Sequence, residues 1–298
     1  MNKGGVLRML WRKPTARISL LFLGFMAAAA CFGPLFLPAS AGMPGPLRYA
    51  EPSLAHPFGT DINGRDLLYR VLEGGRISLL VGLAGALVSM SIGLAYGMIA
   101  GYAAGKIDAV MMRIVDILYS VPRLIFILIF LNAFNDHVRD FASAVGVGWL
   151  AESSRIVLLI VSLGLIEWLT MARIVRGQVL SLKTRTFVTA ARALGQTHFQ
   201  IIVRHLLPNL IGIAVVYLTL TIPAVIIDES FLSFLGVGVQ APLASWGLLL
   251  ADGASAINPV RSHWWLLVFP ALAMASTLLA LNFAGDALRD ALDPKGRS

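Results

Sequence analysis

Four stretches of this chain, residues 18–37, 77–102, 210–227 and 264–284, carry no charged side chain at all. A lipid hydrocarbon core is about 30 Å thick and a helix rises about 1.5 Å per residue, so runs of about 20 residues are long enough to cross it. Two further runs are apolar but charged within: 114–134 holds Asp116 and Arg123, and 156–172 holds Glu167. Backbone in lipid must satisfy its own hydrogen bonds, which leaves helices or a closed barrel; a barrel needs short alternating segments, and these runs are continuously apolar. The expected fold is an all-α integral membrane protein with six transmembrane helices. With 57% hydrophobic and 13% charged residues, the composition lies well away from that of soluble domains.

Lys and Arg fall on alternate sides of these crossings. The amino end carries Lys3, Arg8, Arg12, Lys13 and Arg17 without an acid, and so does the stretch with Arg173, Arg176, Lys183, Arg185, Arg192 and Arg204. Retained bases mark cytoplasmic loops. Residues 1–17, the loop 173–208 and the tail 285–298 are therefore expected in the cytoplasm, both termini included. Residues near 39–76, 135–155 and 228–263 then lie outside, where Glu51, Asp61, Asp66, Asp140 and Asp252 offset the bases. Topology accounts for the net charge of +8. The bases hug the membrane instead of interleaving with exposed aromatic residues, so lipid is an expected partner and nucleic acid is not.

A basic amino end, an apolar run and Ala39-Ser40-Ala41 imitate a secretory signal. The run is longer than the roughly 7–15 residues of a signal core, so it is expected to stay as an uncleaved first span. Cys31 is the one cysteine and excludes an intrachain disulfide. The outer stretch 38–57 reads as irregular structure, rich in Pro and Gly. The stretch 229–261 reads as a re-entrant or surface-lying hairpin, with Phe231, Phe234 and Trp246 as interfacial anchors and Gly236 and Gly238 as breaks.

Several chemical motifs fail on inspection. Residues 100–107 imitate a phosphate-binding loop, but its first glycine would be Ala100 and its hydroxyl residue Ile107. Asp61-Ile62-Asn63-Gly64 imitates a calcium loop, yet Asp66 stands where glycine is required and Leu72 where glutamate is required, so it reads as a turn. His56, His137, His198, His205 and His263 share no helical spacing, and no metal site is expected.

Val188-Thr189-Ala190-Ala191-Arg192-Ala193-Leu194-Gly195, followed by Leu207-Pro208, resembles the cytoplasmic coupling loop of ATP-binding-cassette importer permeases. Phe58-Gly59-Thr60-Asp61, Gly64-Arg65-Asp66 and Gly75-Arg76-Ile77-Ser78-Leu79 resemble the segment before the second span of dipeptide and oligopeptide permeases. Gly101-Tyr102, Asp108, Met112-Arg113 and Pro122 continue the resemblance, as do 172–177, 180–183, Glu229 to Gly236 and 282–294, and together they are most similar to the C-type permease of that family. Thr189 departs from the pattern, which most often has Glu there.

The resemblance implies a type I importer permease bundle with a cytoplasmic coupling helix, set in a bacterial inner membrane and moving oligopeptides or dipeptides inward by alternating access. It implies a second homologous permease, two cytoplasmic ATPase subunits that bind ATP and Mg, and an extracytoplasmic peptide-binding protein; this chain would hold no cofactor and hydrolyse nothing. Coupling would fall to Phe187, Thr189, Ala190, Ala191, Leu194, Gly195 and Pro208. Phe187, Ala191 and Leu194 sit at i, i+4 and i+7 as an apolar stripe, the paired alanines allow deep seating, and Gly195 permits a sharp turn at positive φ. Pro208 suits the mouth of the fifth span.

Charges within spans are costly, and so are candidates for function. Arg123, Glu167 and Glu229 are candidates for the translocation pathway. Arg123 is read either as a contact for a peptide carboxylate or as a partner of Glu167 or Asp116, and Glu167 as the partner of a loop arginine. Gly59, Asp61, Arg65 and Asp66 are candidates for an outer gate or docking surface. Two alternatives stand beside peptide import: the same machine carrying nickel or another small cargo, and a stand-alone secondary transporter, which the absence of a detectable inverted repeat disfavours.

Overall fold

The computed structural model describes residues 9–257 and 262–292. The helices are α1 (Pro14–Phe36), α2 (Leu67–Ala103), α3 (Gly105–Ser120), α4 (Arg123–Ala144), α5 (Gly148–Leu182), α6 (Thr186–Ala193), α7 (His198–Phe234), α8 (Trp246–Ala256) and α9 (Trp265–Leu292), with a 3-10 turn at Ala39–Gly42. Among the described residues extended pairing is limited to two isolated bridges. α1, α2, α5, α7 and α9 contain stretches long and apolar enough to cross a membrane, and α3 with α4 makes a sixth if the pair counts as one span.

That sixth crossing differs from the straight span expected over 114–134. α3 and α4 meet at 90°. Val121 is extended (φ −77°, ψ 126°) because the ring of Pro122 disfavours helical backbone in the residue before it. Other helices overrun their expected ends. α2 starts at Leu67, ahead of residue 77, because Asp66 Oδ1 accepts the Tyr69 amide at 3.1 Å and caps the first turn. Its 37 residues span about 55 Å, well beyond a hydrocarbon core. α7 likewise runs through Asp228 and Glu229 to Phe234.

Pro208 does not stand at the mouth of a helix. α7 is continuous from His198, and a π turn at Ile202–Leu206 precedes the proline. A proline ring collides with the carbonyl four residues back; the wider turn, in which the Leu207 amide donates to Ile202 O, makes room for it.

The chain forms two compact units. The first contains the residues up to Leu83 with Ile226–Ala291. Its core joins Leu67 and Val71 to Leu249, Trp265 and Leu266, and Tyr49, Phe58 and Phe269 pack against it. Trp246, expected at an interface, is wholly buried: its indole donates to Val71 O at 3.1 Å and its amide to Ser78 Oγ at 3.2 Å. Phe231 and Phe234 remain about half exposed. Lys13 Nζ donates to Asp290 Oδ2 at 2.8 Å, joining the start of α1 to the end of α9.

The second unit contains Ala84–Val225. In it α2 turns Gly93, Gly97 and Gly101, spaced by four, toward α5. A Cβ on Gly97 would lie 2.5 Å from Ala172 O, so the helices touch backbone to side chain along this stripe. Met171, Val175 and Val179 of α5 then continue into a core with Val188, Ala191, Ile201, Leu206 and Leu210.

Candidate functional site: a docking segment and a cavity at the helix bend

The segment 183–206 is a short helix, a glycine turn and a capped second helix. α6 ends at Ala193; the backbone then reverses at Gly195, whose φ is +76°. Only glycine holds that conformation without strain. Thr197 opens α7 with a reciprocal cap: its Oγ1 accepts the Gln200 amide at 3.3 Å while Gln200 Oε1 accepts the Thr197 amide at 3.0 Å. His205 Nε2 lies 2.8 Å from Gln196 Oε1, tying the turn to α7.

The apolar stripe expected on α6 divides between two faces. Val188 and Ala191 are buried against α5 and α7. Phe187, Ala190 and Leu194 are exposed, with Leu194 81% accessible because it lies past the end of the helix. Phe199 adds a second outward apolar side chain at 74%. Ala191 thus seats the segment on its own protein, and the outward face is formed by Phe187, Ala190, Leu194 and Phe199. Thr189 is exposed on α6, its hydroxyl donating to Thr186 O at 2.9 Å.

The bend at Val121-Pro122 borders a cavity of about 570 Å³. Its wall is apolar, from Ile92, Phe126, Leu165 and Trp168, and its polar rim is Tyr119, Ser120, Arg123 and Thr170. Arg123 Nη2 lies 3.2 Å from Glu167 Oε1, with the arginine half exposed and the acid largely covered. Glu167 is thus paired with Arg123. Asp116 is taken by Arg173, whose Nη2 donates to it at 2.6 Å and whose guanidinium lies 4.2 Å above the Tyr119 ring.

Glu229 differs from its expected place in the pathway. It is completely buried in the first unit, accepting from Ser78 Oγ at 2.9 Å, Ser233 Oγ at 2.7 Å and Ser230 Oγ at 3.3 Å. The same hydroxyls accept amides in turn, Ser78 from Trp246 and Ser233 from Val239 at 3.0 Å, so Glu229 anchors the chain between α7 and α8. Ser230 and Ser233 are Glu229's neighbours in sequence, but nothing local announced Ser78, which lies 151 residues away.

The outer candidates are likewise part of a frame. Asp61 is buried; Oδ1 accepts the amides of Asn63 and Arg65, and Oδ2 accepts Arg65 Nε at 2.9 Å and Arg70 Nη1 at 3.0 Å. This is an Asx turn closed by Gly64 at φ +74°. Gly59 takes φ +76° where a Cβ would meet Ala50 O at 2.6 Å. Asp66 pairs with His56 Nδ1 at 2.9 Å as well as capping α2. Burial lifts the carboxyl of Asp252 on α8 above the usual carboxylate range, against the pull of Arg70. The exposed tip of this layer is instead Glu51 to Ala55, with Leu54 fully accessible.

The glycine stripe of α2 and the Asp108–Arg176 pair were not singled out as functional groups from the sequence. The four-residue glycine spacing was a readable signal for the first; no local pattern announces the second.

Residues 93–298 match the family of binding-protein-dependent transport system inner membrane components. Over 97% of its length the chain is 44% identical to the oligopeptide transport system permease protein OppC of Haemophilus influenzae, covering 88% of that protein. It is 49% identical over 81% of its length to OppC of Escherichia coli, covering 73% of it, and 42% identical over 97% to the dipeptide transport system permease protein DppC of Bacillus subtilis, covering 85% of it. Its fold superposes on a chain of an inward-facing MetNI methionine ABC transporter with a TM-score of 0.55 at 21% identity, over 76% of this chain and 98% of that one. Apolar helices, bend and the short helical segment 183–206 thus occur in a chain matched across most of its sequence, and the chain belongs to the family of binding-protein-dependent transport system inner membrane components.

Proposed function

We propose that this chain is a transmembrane permease subunit of an ATP-driven importer for oligopeptides or dipeptides. The observation that carries the cargo is identity of 42–44% over 97% of the chain to permeases named for oligopeptides and dipeptides, which favours peptide over nickel. The chain works with a second permease, two ATPase subunits that bind ATP and Mg, and an external peptide-binding protein. The segment 183–206 lies in the cytoplasm. Its inner face is packed on α5 and α7, and its outer face offers Phe187, Leu194 and Phe199 among Arg185, Arg192 and Arg204. That combination suits a groove on an ATPase: apolar side chains fill it, and the rigid inner face lets its movement pull on the membrane helices. The cavity beside Arg123 supplies a passage wall, where a guanidinium meets the carboxylate of a peptide.

The test is Gly195→Val in the assembled complex reconstituted into liposomes. No atom lies within 4 Å of a Cβ at this position, so the substitution acts through φ and through the docking face. A β-branched residue at φ +76° is strained by about 1–2 kcal/mol, so the turn is expected to shift. Membrane insertion is retained while peptide uptake falls at least tenfold and ATP hydrolysis no longer responds to loaded binding protein. Full binding-protein-stimulated hydrolysis in the variant would remove the coupling role from this segment.

A further inference from the structure

α3 buries only two of its residues, Asp108 and Val115. Val115, with Met112 and Leu118, packs on Trp168, Leu169 and Ala172 of α5, and beside this apolar seam α3 is joined to α5 by a row of polar pairs. Arg176 grips Asp108 as a fork, Nε to Oδ1 at 2.5 Å and Nη2 to Oδ2 at 2.6 Å. Next come Arg173 with Asp116 at 2.6 Å, Thr170 with the Tyr119 hydroxyl, and Glu167 with Arg123 at 3.2 Å. The α5 members recur every third residue while their partners advance along α3 and, at Arg123, reach the start of α4, so α3 runs antiparallel to α5. Steps of three turn the row by about 60° per rung, so it winds across α5 and opposes rotation as well as sliding.

Beyond the Arg176 rung, α5 continues for about two turns to the docking segment, which begins at Lys183. Lys183, at the end of α5, donates to Gly101 O at 3.0 Å, and the Tyr102 hydroxyl lies 2.8 Å from His198 Nδ1. The other end is Arg123 on the rim of the cavity. We propose that this polar ladder is the positioning device that carries movement of the docking segment to the cavity rim, with the Asp108–Arg176 fork as its principal rung. The fork is the strongest rung because it is bidentate, charge-assisted and the most covered of the ion pairs along the row. The Asp116–Arg173 rung has both partners about half exposed and contributes less. A contiguous network is a coupling path only if changing it changes the coupling, which sets the test.

The proposal rests on the reading of the chain as an ATP-driven permease, and one of its two measurements needs no cargo. The first is peptide taken up per ATP hydrolysed by the reconstituted full complex. Asp108→Asn and Arg176→Lys, which keeps the charge but loses the fork, are expected to lower this ratio about tenfold in complexes that assemble and hydrolyse ATP normally. The paired reversal Asp108→Arg with Arg176→Asp restores most of it, and Asp116→Asn lowers it less. An unchanged ratio in assembled Asp108→Asn and Arg176→Lys complexes overturns the proposal. So does failure of both to assemble, which would make the ladder a folding element. The second measurement is the distance between spin labels at Ser120→Cys and Thr184→Cys in a Cys31→Ser background, with and without trapped nucleotide. The distance stays constant while the fork is intact and changes with nucleotide in Asp108→Asn; a change in the intact protein overturns the proposal. A parent complex that imports no peptide but keeps this distance pattern refutes the cargo and leaves the ladder standing.

Discussion

Arg123 and Glu167 form an ion pair at the rim of the cavity, where the proposed function gives the guanidinium a second task. The acid is largely covered, and its guanidinium partner reaches the cavity rim. Removing one member of a covered ion pair leaves the other uncompensated, whereas removing both together is tolerated. Arg123→Met is therefore expected to reduce the yield of assembled complex several-fold, and Arg123→Met with Glu167→Gln to restore it. In the restored double variant, uptake of peptides with a free carboxylate falls more than uptake of amidated ones. Equal uptake of both would show that the guanidinium does not read the cargo terminus. At this scale the charges inside spans were visible in the sequence, but their partners were not. Asp116 and Glu167 each lay within reach of more than one arginine, and only packing assigned Arg173 to one and Arg123 to the other.

Helix contacts depend on the smallest side chains. Gly93, Gly97 and Gly101 let α2 approach α5 until a methyl group has no room: a Cβ on Gly97 would stand 2.5 Å from Ala172 O and 2.8 Å from Val175 Cβ. Gly97→Ala is expected to lower stability by about 1–3 kcal/mol, read as a lower melting midpoint in detergent. Gly212→Ala on α7, where a Cβ meets nothing within 4 Å, is the control and should be neutral or slightly stabilising. Equal midpoints for the two variants would refute the close-packed stripe. Prolines illustrate the same dependence on surroundings. Pro34, Pro223 and Pro270 lie inside helices that continue past them, Pro208 is accommodated by a π turn, and at Pro122 the chain bends by 90°.

For the whole molecule, sidedness is the property that the distribution of bases anticipates. The Lys13–Asp290 contact joins the start of α1 to the end of α9, and the expected topology puts both ends in the cytoplasm. Thr184 and Ala55 are both exposed and, on this topology, lie on opposite sides of the membrane. In a Cys31→Ser background, Thr184→Cys should resist an impermeant thiol reagent in intact cells and Ala55→Cys should react. The reverse pattern would invert the topology.

Helical class and five of the candidate crossings were legible in the sequence because hydrocarbon imposes one requirement everywhere: an apolar run long enough to span it, with its hydrogen bonds closed internally. The segment 183–206 stood out as a distinct element for a related reason, since a basic stretch with two alanines and a glycine lies between apolar runs, and the structure gives it a short helix and a turn at Gly195. What the sequence left open depends on contacts between distant segments. The burial of Ala191 and Trp246, the sealing of Glu229 by serines and the pairing of Asp108 with Arg176 are decided by which surfaces meet. A one-dimensional pattern records that a residue is apolar or charged; only the packed helices settle which neighbour meets it, and so whether a charge is sealed inside, paired across helices or left at the rim of a cavity.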